Sequence, residues 1–394
     1  MRCALLDQAR EQPGGEALLA AAYEGVHLVG GAVRDLLLLE HPRELDVLVE
    51  GEIEPLLLAL GGEAVTHERF GTASVSLEDA RIDVARARRE RYPHPGGLPV
   101  VEPASVAEDL LRRDFTVNAI AVRIDEGRAG EVHAAPGALE DLAAGRLRVL
   151  HDASFIDDPT RLLRLARYEA RLRFVVEDHT AALAREAIAA RAFDTVSGAR
   201  IGAELRLGLA EDSALEALQR MDELGILLAL GLHTPLPEKL AAGALALLPD
   251  DGRPGELLMA LLCEDPAILD TFEFSAGERD RIVSSARAAP QIGDVLASDT
   301  RASFLHGALA GKTPEAIAIA AAQGQSGAAE TARLWFDTLR HVRLSITGDD
   351  LLAAGVPSGP ELGRRLAVAL ARRLDGELEP GPRAELAAAM EAGA

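Results

Sequence analysis

The stretch His27-Leu28-Val29-Gly30-Gly31-Ala32-Val33-Arg34-Asp35, followed by Glu44-Leu45-Asp46-Val47-Leu48-Val49, decides how the first half of this chain reads. The spacing predicts an apolar strand that runs into a glycine pair, a helix that begins there with Arg34 in its first turns, and a second apolar strand. Glycines at such a turn let backbone N–H groups approach a phosphate, and the helix start adds partial positive charge. A tight structural turn is the other common meaning of a glycine pair. Residues i and i+2 of a strand face the same way, about 6.6 Å apart. Glu44 and Asp46 could therefore share a hard cation such as Mg²⁺, or two cations roughly 3.5–4 Å apart. The alternative is a pair of solvated charges at a strand start, but Val47-Leu48-Val49 make this a core strand whose charges need a partner. Asp83, in Arg81-Ile82-Asp83-Val84-Ala85, is a candidate third carboxylate on a neighbouring strand.

Around that segment, 394 residues suffice for two or more domains. The chain is 48% apolar and 3% aromatic, which describes a globular protein rich in Ala and Leu and so in helix. No apolar run reaches the roughly 20 residues of a membrane span. The N-terminus turns charged too soon for a secretory signal. Cys3 and Cys263 are the only cysteines, which excludes a disulfide framework or a cysteine zinc cluster and points to a reducing, cytoplasmic setting. A net charge of −22 argues against a generally nucleic-acid-binding surface but leaves room for a local one. Lys239 and Lys312 are the only lysines, so the cations are almost all arginine, which suits bidentate grip on phosphate and base edges but equally fits a GC-rich genome, a reading that does not explain their clustering. They cluster at Arg81, Arg86, Arg88, Arg89 and Arg91, and at Arg161, Arg164, Arg167, Arg171 and Arg173.

Strand patterns occupy Val26–Val29, Asp46–Val49, Ala73–Leu77, Ile82–Ala85 and Val117–Ile124. Helix patterns occupy Ala32–Leu39, Ile53–Leu60 and Ala104–Leu111. Between Tyr92 and Pro99 three prolines and two glycines forbid regular structure, so a mobile loop is expected there. After about residue 151 the pattern is almost wholly helical. It begins with a helix from Pro159, capped near Asp157 or Asp158, that runs to about Phe174.

Two further groupings could carry chemistry. In Arg112-Arg113-Asp114-Phe115-Thr116-Val117-Asn118, Arg112 or Arg113 could hold phosphates and Asp114 or Asn118 a ribose hydroxyl. Salt bridges and a turn-pinning asparagine are the alternative. In Asp157-Asp158-Pro159-Thr160-Arg161, an acid and an arginine three apart share a helix face. Together they resemble the hydrogen-bonding edge of a base, although a capped helix with an internal salt bridge is the plainer reading.

In this order, the motifs resemble the class II tRNA nucleotidyltransferases and bacterial poly(A) polymerases, within the polymerase-beta-like nucleotidyltransferases. The likeness runs from His27 to about Leu209. It includes His67–Ala73, the Arg88-x-Glu90-x-Tyr92 to Pro99 loop, Leu150–Phe155 and Ala199–Glu204. It fades, then returns in Ile346–Leu352 and Gly355–Pro360, which look like the tail domain of CCA-adding members.

The resemblance implies an α+β chain with four parts: a catalytic head with a mixed β-sheet at 1–150, a helical neck for base recognition at 151–215, a helical body at 216–335, and a helical tail for tRNA binding at 336–394. It implies metal-binding, catalytic carboxylates at Glu44 and Asp46, with Asp83 as a possible third. It also implies a triphosphate cradle of Gly30, Gly31, Arg34, Arg112 and Arg113, with Asp114 and Asn118 near the ribose. Asp158 and Arg161 would read the incoming base in place of a template, supported by Arg200 and Glu204. The implied reaction is Mg²⁺-dependent addition of CMP and AMP, from CTP and ATP, to the 3′ end of tRNA. Poly(A), CC-only or A-only addition are the alternatives. One departure bears on activity: where the family pattern has Asp-x-Asp, this chain has Glu44. Glutamate adds a methylene that could move a metal out of in-line geometry, leaving a catalytically weakened RNA-binding homologue as a further reading.

Overall fold

The computed structural model describes residues 2–67, 71–78, 80–125, 128–298, 301–324 and 327–392. Glu68, Arg69 and Phe70 of the His67–Ala73 motif therefore lie outside the described residues. The chain divides into two compact units, Met1–Glu204 with Glu223–Leu230, and Leu205–Asp222 with Gly231–Ala394.

The first unit is built on a mixed seven-stranded sheet. Its strands are β1 (Val26–Val29), β2 (Leu45–Val49), β3 (Glu63–His67), β4 (Thr72–Ser76), β5 (Arg81–Arg86), β8 (Ile120–Arg123) and β9 (Val132–Ala134), in the order β3-β4-β5-β2-β1-β8-β9. Between β5 and β8 in sequence lie β6 (Arg88–Arg91) and β7 (Val100–Pro103), which pair as a separate antiparallel ribbon. Within the large sheet, β2 and β5 are parallel and the other pairs antiparallel. The apolar runs end up where continuous burial requires them: every residue of β1 is buried, as are Leu45, Val47, Leu48 and Val49 of β2.

Around this sheet lie α1 (Arg2–Arg10), α2 (Gly15–Ala21), α3 (Gly31–Leu37), α4 (Glu54–Leu60), α5 (Val106–Leu111) and α6 (Ala138–Ala144). A capping box between Ser105 and Glu108 fixes the start of α5. Next come α7 (Ser154–Asp157), α8 (Thr160–Leu172), α9 (Asp178–Ala189) and α10 (Gly198–Leu209). The helix α8 buries Leu162, Leu163, Leu165 and Ala166, and with them Arg161 and Arg167.

Three expectations change. The segment expected as one strand over Val117–Ile124 is a 3-10 turn at Thr116–Asn118 followed by β8. Side chains hold that turn: Thr116 Oγ1 donates to Asp141 Oδ2 (2.9 Å) and Asn118 Nδ2 to Asp114 Oδ1 (3.1 Å). Beyond residue 151 a short strand does occur, Val175–Val176, paired in parallel with Arg146–Leu147. The third change is the 92–99 segment, which is fastened at Tyr92 and Gly96.

The second unit is helical among its described residues. The helix Ala276–Ala297 packs on Pro254–Leu262 and Pro314–Gln323. Near the C-terminus, Gly348–Ala353, Pro360–Leu374 and Pro382–Glu391 gather around a core of their own, made of Ile346, Leu351, Val356, Ala369, Ala388 and Ala389. The architecture is thus α+β, a mixed sheet followed by helices. Among the described residues no helix is long and apolar enough to cross a membrane.

Candidate active site

Register across the parallel pair sets Asp46 of β2 directly opposite Asp83 of β5. Glu44, exposed and one residue before β2, joins them, and one carboxylate oxygen from each of the three lies within 4.8 Å of the others. Asp83 Oδ1 accepts from Ser74 Oγ and from Arg81 Nε (3.1 Å). Like charges this close repel by an amount on the order of a few kcal/mol in a partly buried setting. Burial, then the Glu44 charge, pushes the Asp46 carboxyl up to about 7, against the opposing pull of Arg113 and Arg34. A trio of hard oxygen donors that costs energy to ionise together fits a divalent cation.

The glycine pair closes over this acid group. Gly30 has φ 67° and ψ −130°, a conformation that glycine tolerates and β-carbon-bearing residues resist. A Cβ at Gly30 would sit 2.8 Å from Arg113 Nη1 and 3.8 Å from Asp46 Oδ2. One at Gly31 would sit 3.7 Å from the same Asp46 oxygen and 3.6 Å from Arg34 Nη2. The turn, the acid and two guanidinium groups thus meet at one place.

Arg34 is nearly sealed, at 1% exposure. It donates from Nε to Asp35 Oδ1 (2.8 Å) and from Nη1 to Asn118 Oδ1 (2.6 Å), and it lies over the Tyr168 ring at 5.3 Å. Asn118 in turn donates to Asp114, whose Oδ2 pairs with Arg164 Nη2 at 2.7 Å. Arg164 and Arg167 both reach Glu204, and Arg171 pairs with Asp35 (3.1 Å). The two residues expected near a ribose are therefore buried members of a chain of ion pairs that ties α3 to α8 and Glu204.

Arg112 and Arg113 end α5 and share one acid, Asp109. The Arg112 backbone carbonyl accepts from Arg161 Nη2 (2.8 Å), and Arg161 Nη1 donates to Ser154 Oγ (2.6 Å). Asp158 Oδ1 accepts from Thr160 N (3.1 Å), Thr160 Oγ1 (2.6 Å) and Arg200 Nη2 (2.7 Å). Arg200 Nη1 donates to the Gly96 carbonyl (2.9 Å), while Gly96 N–H donates to the carbonyls of Ile156 and Asp157 (both 3.2 Å). The segment expected to be mobile is therefore pinned. Its prolines and glycines deny it regular structure, but Gly96 is fastened to α7 and α10, and Tyr92 OH donates to Glu90 Oε2 (3.1 Å). Burial and the Glu90 charge push the Tyr92 hydroxyl up to about 12, so it keeps that proton.

Residues 26–148 match the poly A polymerase head domain. A CC-adding tRNA nucleotidyltransferase of Deinococcus radiodurans is 36% identical over 348 residues, covering 86% of this chain and 82% of that one. The chain belongs to the tRNA nucleotidyltransferase and poly(A) polymerase family. An A-adding relative of Geobacter sulfurreducens is 34% identical over 393 residues, covering 89% of this chain but only 43% of its own length. Another A-adding relative, from Aquifex aeolicus, matches over 24% of its length. The chain thus spans less than half of these two relatives. Among solved structures, an apo CCA-adding enzyme superposes with a TM-score of 0.81 at 27% identity, covering 97% of this chain and 99% of that one. A CCA-adding enzyme with ATP gives 0.77 at 26% identity, with the same coverage.

For this family member, sequence reasoning gave no role to Asp109, Glu90, Tyr168 or Ser154, and knew Arg164 only as one of a cluster of arginines. Asp109 had a legible signal, since an acid three and four residues before two arginines pairs with them on a helix. Glu90 also had one, standing two residues from both Arg88 and Tyr92, whereas contacts such as the Arg164–Asp114 pair are not shown by sequence spacing.

Proposed function

We propose that this chain transfers CMP and AMP from CTP and ATP to the 3′ end of tRNA, completing or repairing its CCA terminus. The observation that carries the reading is the convergence of Glu44, Asp46 and Asp83 on the Gly30–Gly31 turn and Arg113, within the unit that also holds Asp158 and Arg161. In the reaction the terminal ribose hydroxyl attacks the α-phosphate and pyrophosphate leaves. Glu44, Asp46 and Asp83 would hold Mg²⁺, whose charge, when bound, favours the attacking alkoxide and the departing pyrophosphate. Gly30 and Gly31 leave room for the phosphates beside Asp46, and Arg113 faces them with Arg34 behind. Asp114 and Asn118, both buried, would support the ribose side through their hold on Arg164 and Arg34. Asp158 and Arg161, held by Arg200, Ser154 and the Arg112 carbonyl, present an acceptor and a donor to the base; Glu204 anchors Arg164 and Arg167 behind them.

The parts follow the division into head (1–150), neck (151–215), body (216–335) and tail (336–394), with tRNA held along the helical portion mainly through phosphate contacts that weaken as salt rises. The separate C-terminal core supports a distinct tail. The free, buried Cys263 is in keeping with a cytoplasmic setting.

A second reading is addition of CC alone or A alone, favoured by the CC-adding and A-adding names of the relatives. One experiment separates them. Purified protein is incubated with Mg²⁺, CTP and ATP on tRNAs ending before CCA and after CC. Pyrophosphate is then measured and the ends are sequenced. Full CCA ends support the first reading, and addition on only one of the two substrates supports the second. No pyrophosphate with Mg²⁺ or Mn²⁺ would remove transfer altogether and leave an RNA-binding homologue.

A further inference from the structure

We propose that Asp109 is a positioning residue that aims Arg113, and not Arg112, at the pyrophosphate half of the bound nucleotide. The inference rests on the transfer reading above.

Asp109 is fully buried on α5, and both of its oxygens are in use. Oδ2 accepts from Arg113 Nε (3.2 Å) and Nη2 (3.0 Å). This side-on grip takes one edge of the guanidinium and leaves Nη1 facing the Gly30 turn, 2.8 Å from where a Cβ would stand. Oδ1 accepts from Arg112 Nε (2.9 Å) and Nη2 (2.7 Å), and from the Arg88 backbone N–H (3.1 Å). Arg112 is turned the other way. Its Nε also donates to the Arg88 carbonyl (3.1 Å) and its Nη1 to Glu90 Oε1 (2.7 Å). All three Arg112 nitrogens are thus spent on the β6 ribbon and Asp109, and its carbonyl holds Arg161. Of two neighbouring arginines, one carboxylate turns Arg113 toward the Gly30 turn and Arg112 toward Glu90 and the β6 ribbon.

The role matters because an arginine side chain is long and rich in rotamers. A fixed anion behind it removes that freedom before the ligand arrives, so donors need not reorganise on binding. Simple charge arithmetic predicts the opposite sign. Asp109 is an anion beside an anion site, and neutralising it raises the local positive potential.

The test uses the full chain. Binding of inorganic pyrophosphate and of CMP is measured calorimetrically with Mg²⁺ present, for wild type, Asp109→Asn, Arg113→Gln, Arg112→Gln and Asp109→Asn/Arg113→Gln. Aim by Asp109 predicts that Asp109→Asn weakens pyrophosphate about tenfold or more, as loss of charge-assisted hydrogen bonds should. CMP, which lacks the β- and γ-phosphates, should bind as in wild type. KM for CTP should rise with little change in kcat, and Asp109→Asn should add little once Arg113 is gone. Unchanged or tighter pyrophosphate binding, or an equal loss for CMP, overturns the proposal. Should Asp109→Asn fail to fold, the arginines decide: Arg113→Gln must cost more pyrophosphate affinity than Arg112→Gln, and the reverse order overturns it. A wild-type chain that binds neither CTP nor pyrophosphate defeats the transfer reading and this one with it. Normal wild-type binding with an unaffected Asp109→Asn defeats this one alone.

Discussion

Asp46 and Asp83 face each other in register across two parallel strands, so the sheet itself brings their charges together. Glu44 joins from just outside the strand, on a side chain one methylene longer than aspartate. The two aspartates are fixed by the sheet ladder, whereas the glutamate reaches in from a less constrained backbone.

That difference orders the effects of substitution. Asp46→Ala should lower the rate of pyrophosphate release on the order of 10³-fold or more, because the central oxygen donor of the trio is lost. Glu44→Asp should keep or raise activity. If Glu44→Asp is inactive while folded, the centre requires the longer side chain and the neighbouring strands have adjusted to it.

Gly30→Ala should disturb function more than stability. The backbone there, with φ 67° and ψ −130°, costs an alanine about 1–3 kcal/mol. The nearest obstacle to its methyl is the end of the Arg113 side chain, which can move aside. A displaced Arg113 should raise KM for CTP about tenfold, with a fall in melting temperature of only a few degrees. An unchanged KM would show that Arg113 does not work from its present position.

What the sequence revealed, and what it hid, follows from burial and contact distance. Strands β1, β2 and β5 were legible because their interior positions carry unbroken or alternating apolar residues, and the Asp46–Asp83 meeting could be anticipated once both were placed on neighbouring core strands. Strand β3 was not legible: it lies at the sheet edge with all five residues exposed, so no apolar alternation marks it. The β6–β7 ribbon is written in Arg, Glu and Val, and Arg89 faces Glu102 in a pairing that only the folded ribbon shows. Arg34 reads as a phosphate donor from its place after two glycines, yet its partner Asn118 comes 84 residues later. The 92–99 loop reads as mobile because its own residues cannot hold it; Arg200, about a hundred residues on, does.

Asp114 should make the first unit sensitive to acid. Burial alone would raise its carboxyl, but the Arg164 guanidinium, the Asn118 hydrogen bond, Arg161 and the Phe115 N–H outweigh burial and hold it below the usual range. A carboxyl depressed on folding contributes stability above its unfolded value, near 3.9, that is lost as pH falls through the folded value. Urea midpoints of wild type should therefore drop as pH is lowered from about 5 to 3. Asp114→Asn should be less stable near neutrality by on the order of 3 kcal/mol, since Arg164 loses its close partner, and should show a shallower pH dependence. Equal slopes for the two proteins would place the acid sensitivity elsewhere.

Arg200 joins the loop to Asp158, the acid proposed to read the base, with two donors on one rigid fork, Nη1 to Gly96 and Nη2 to Asp158. Arg200→Ala should release both at once. Cleavage by a protease within residues 92–99 should speed up, and the preference for CTP and ATP over GTP and UTP should fall about tenfold as Asp158 loses its fixed orientation. Arg200→Lys should rescue neither effect fully, because a single ammonium cannot reproduce the planar spacing of the two donors. The two readouts separate the roles. Faster cleavage with intact base preference would mean that Arg200 holds the loop while Asp158 is kept in place by Thr160, whose amide and hydroxyl both donate to it. Loss of preference with unchanged cleavage would mean that the Gly96 amide, through its bonds to the Ile156 and Asp157 carbonyls, suffices to hold the loop. Joint loss of both is the outcome expected of one residue serving the loop and the base together.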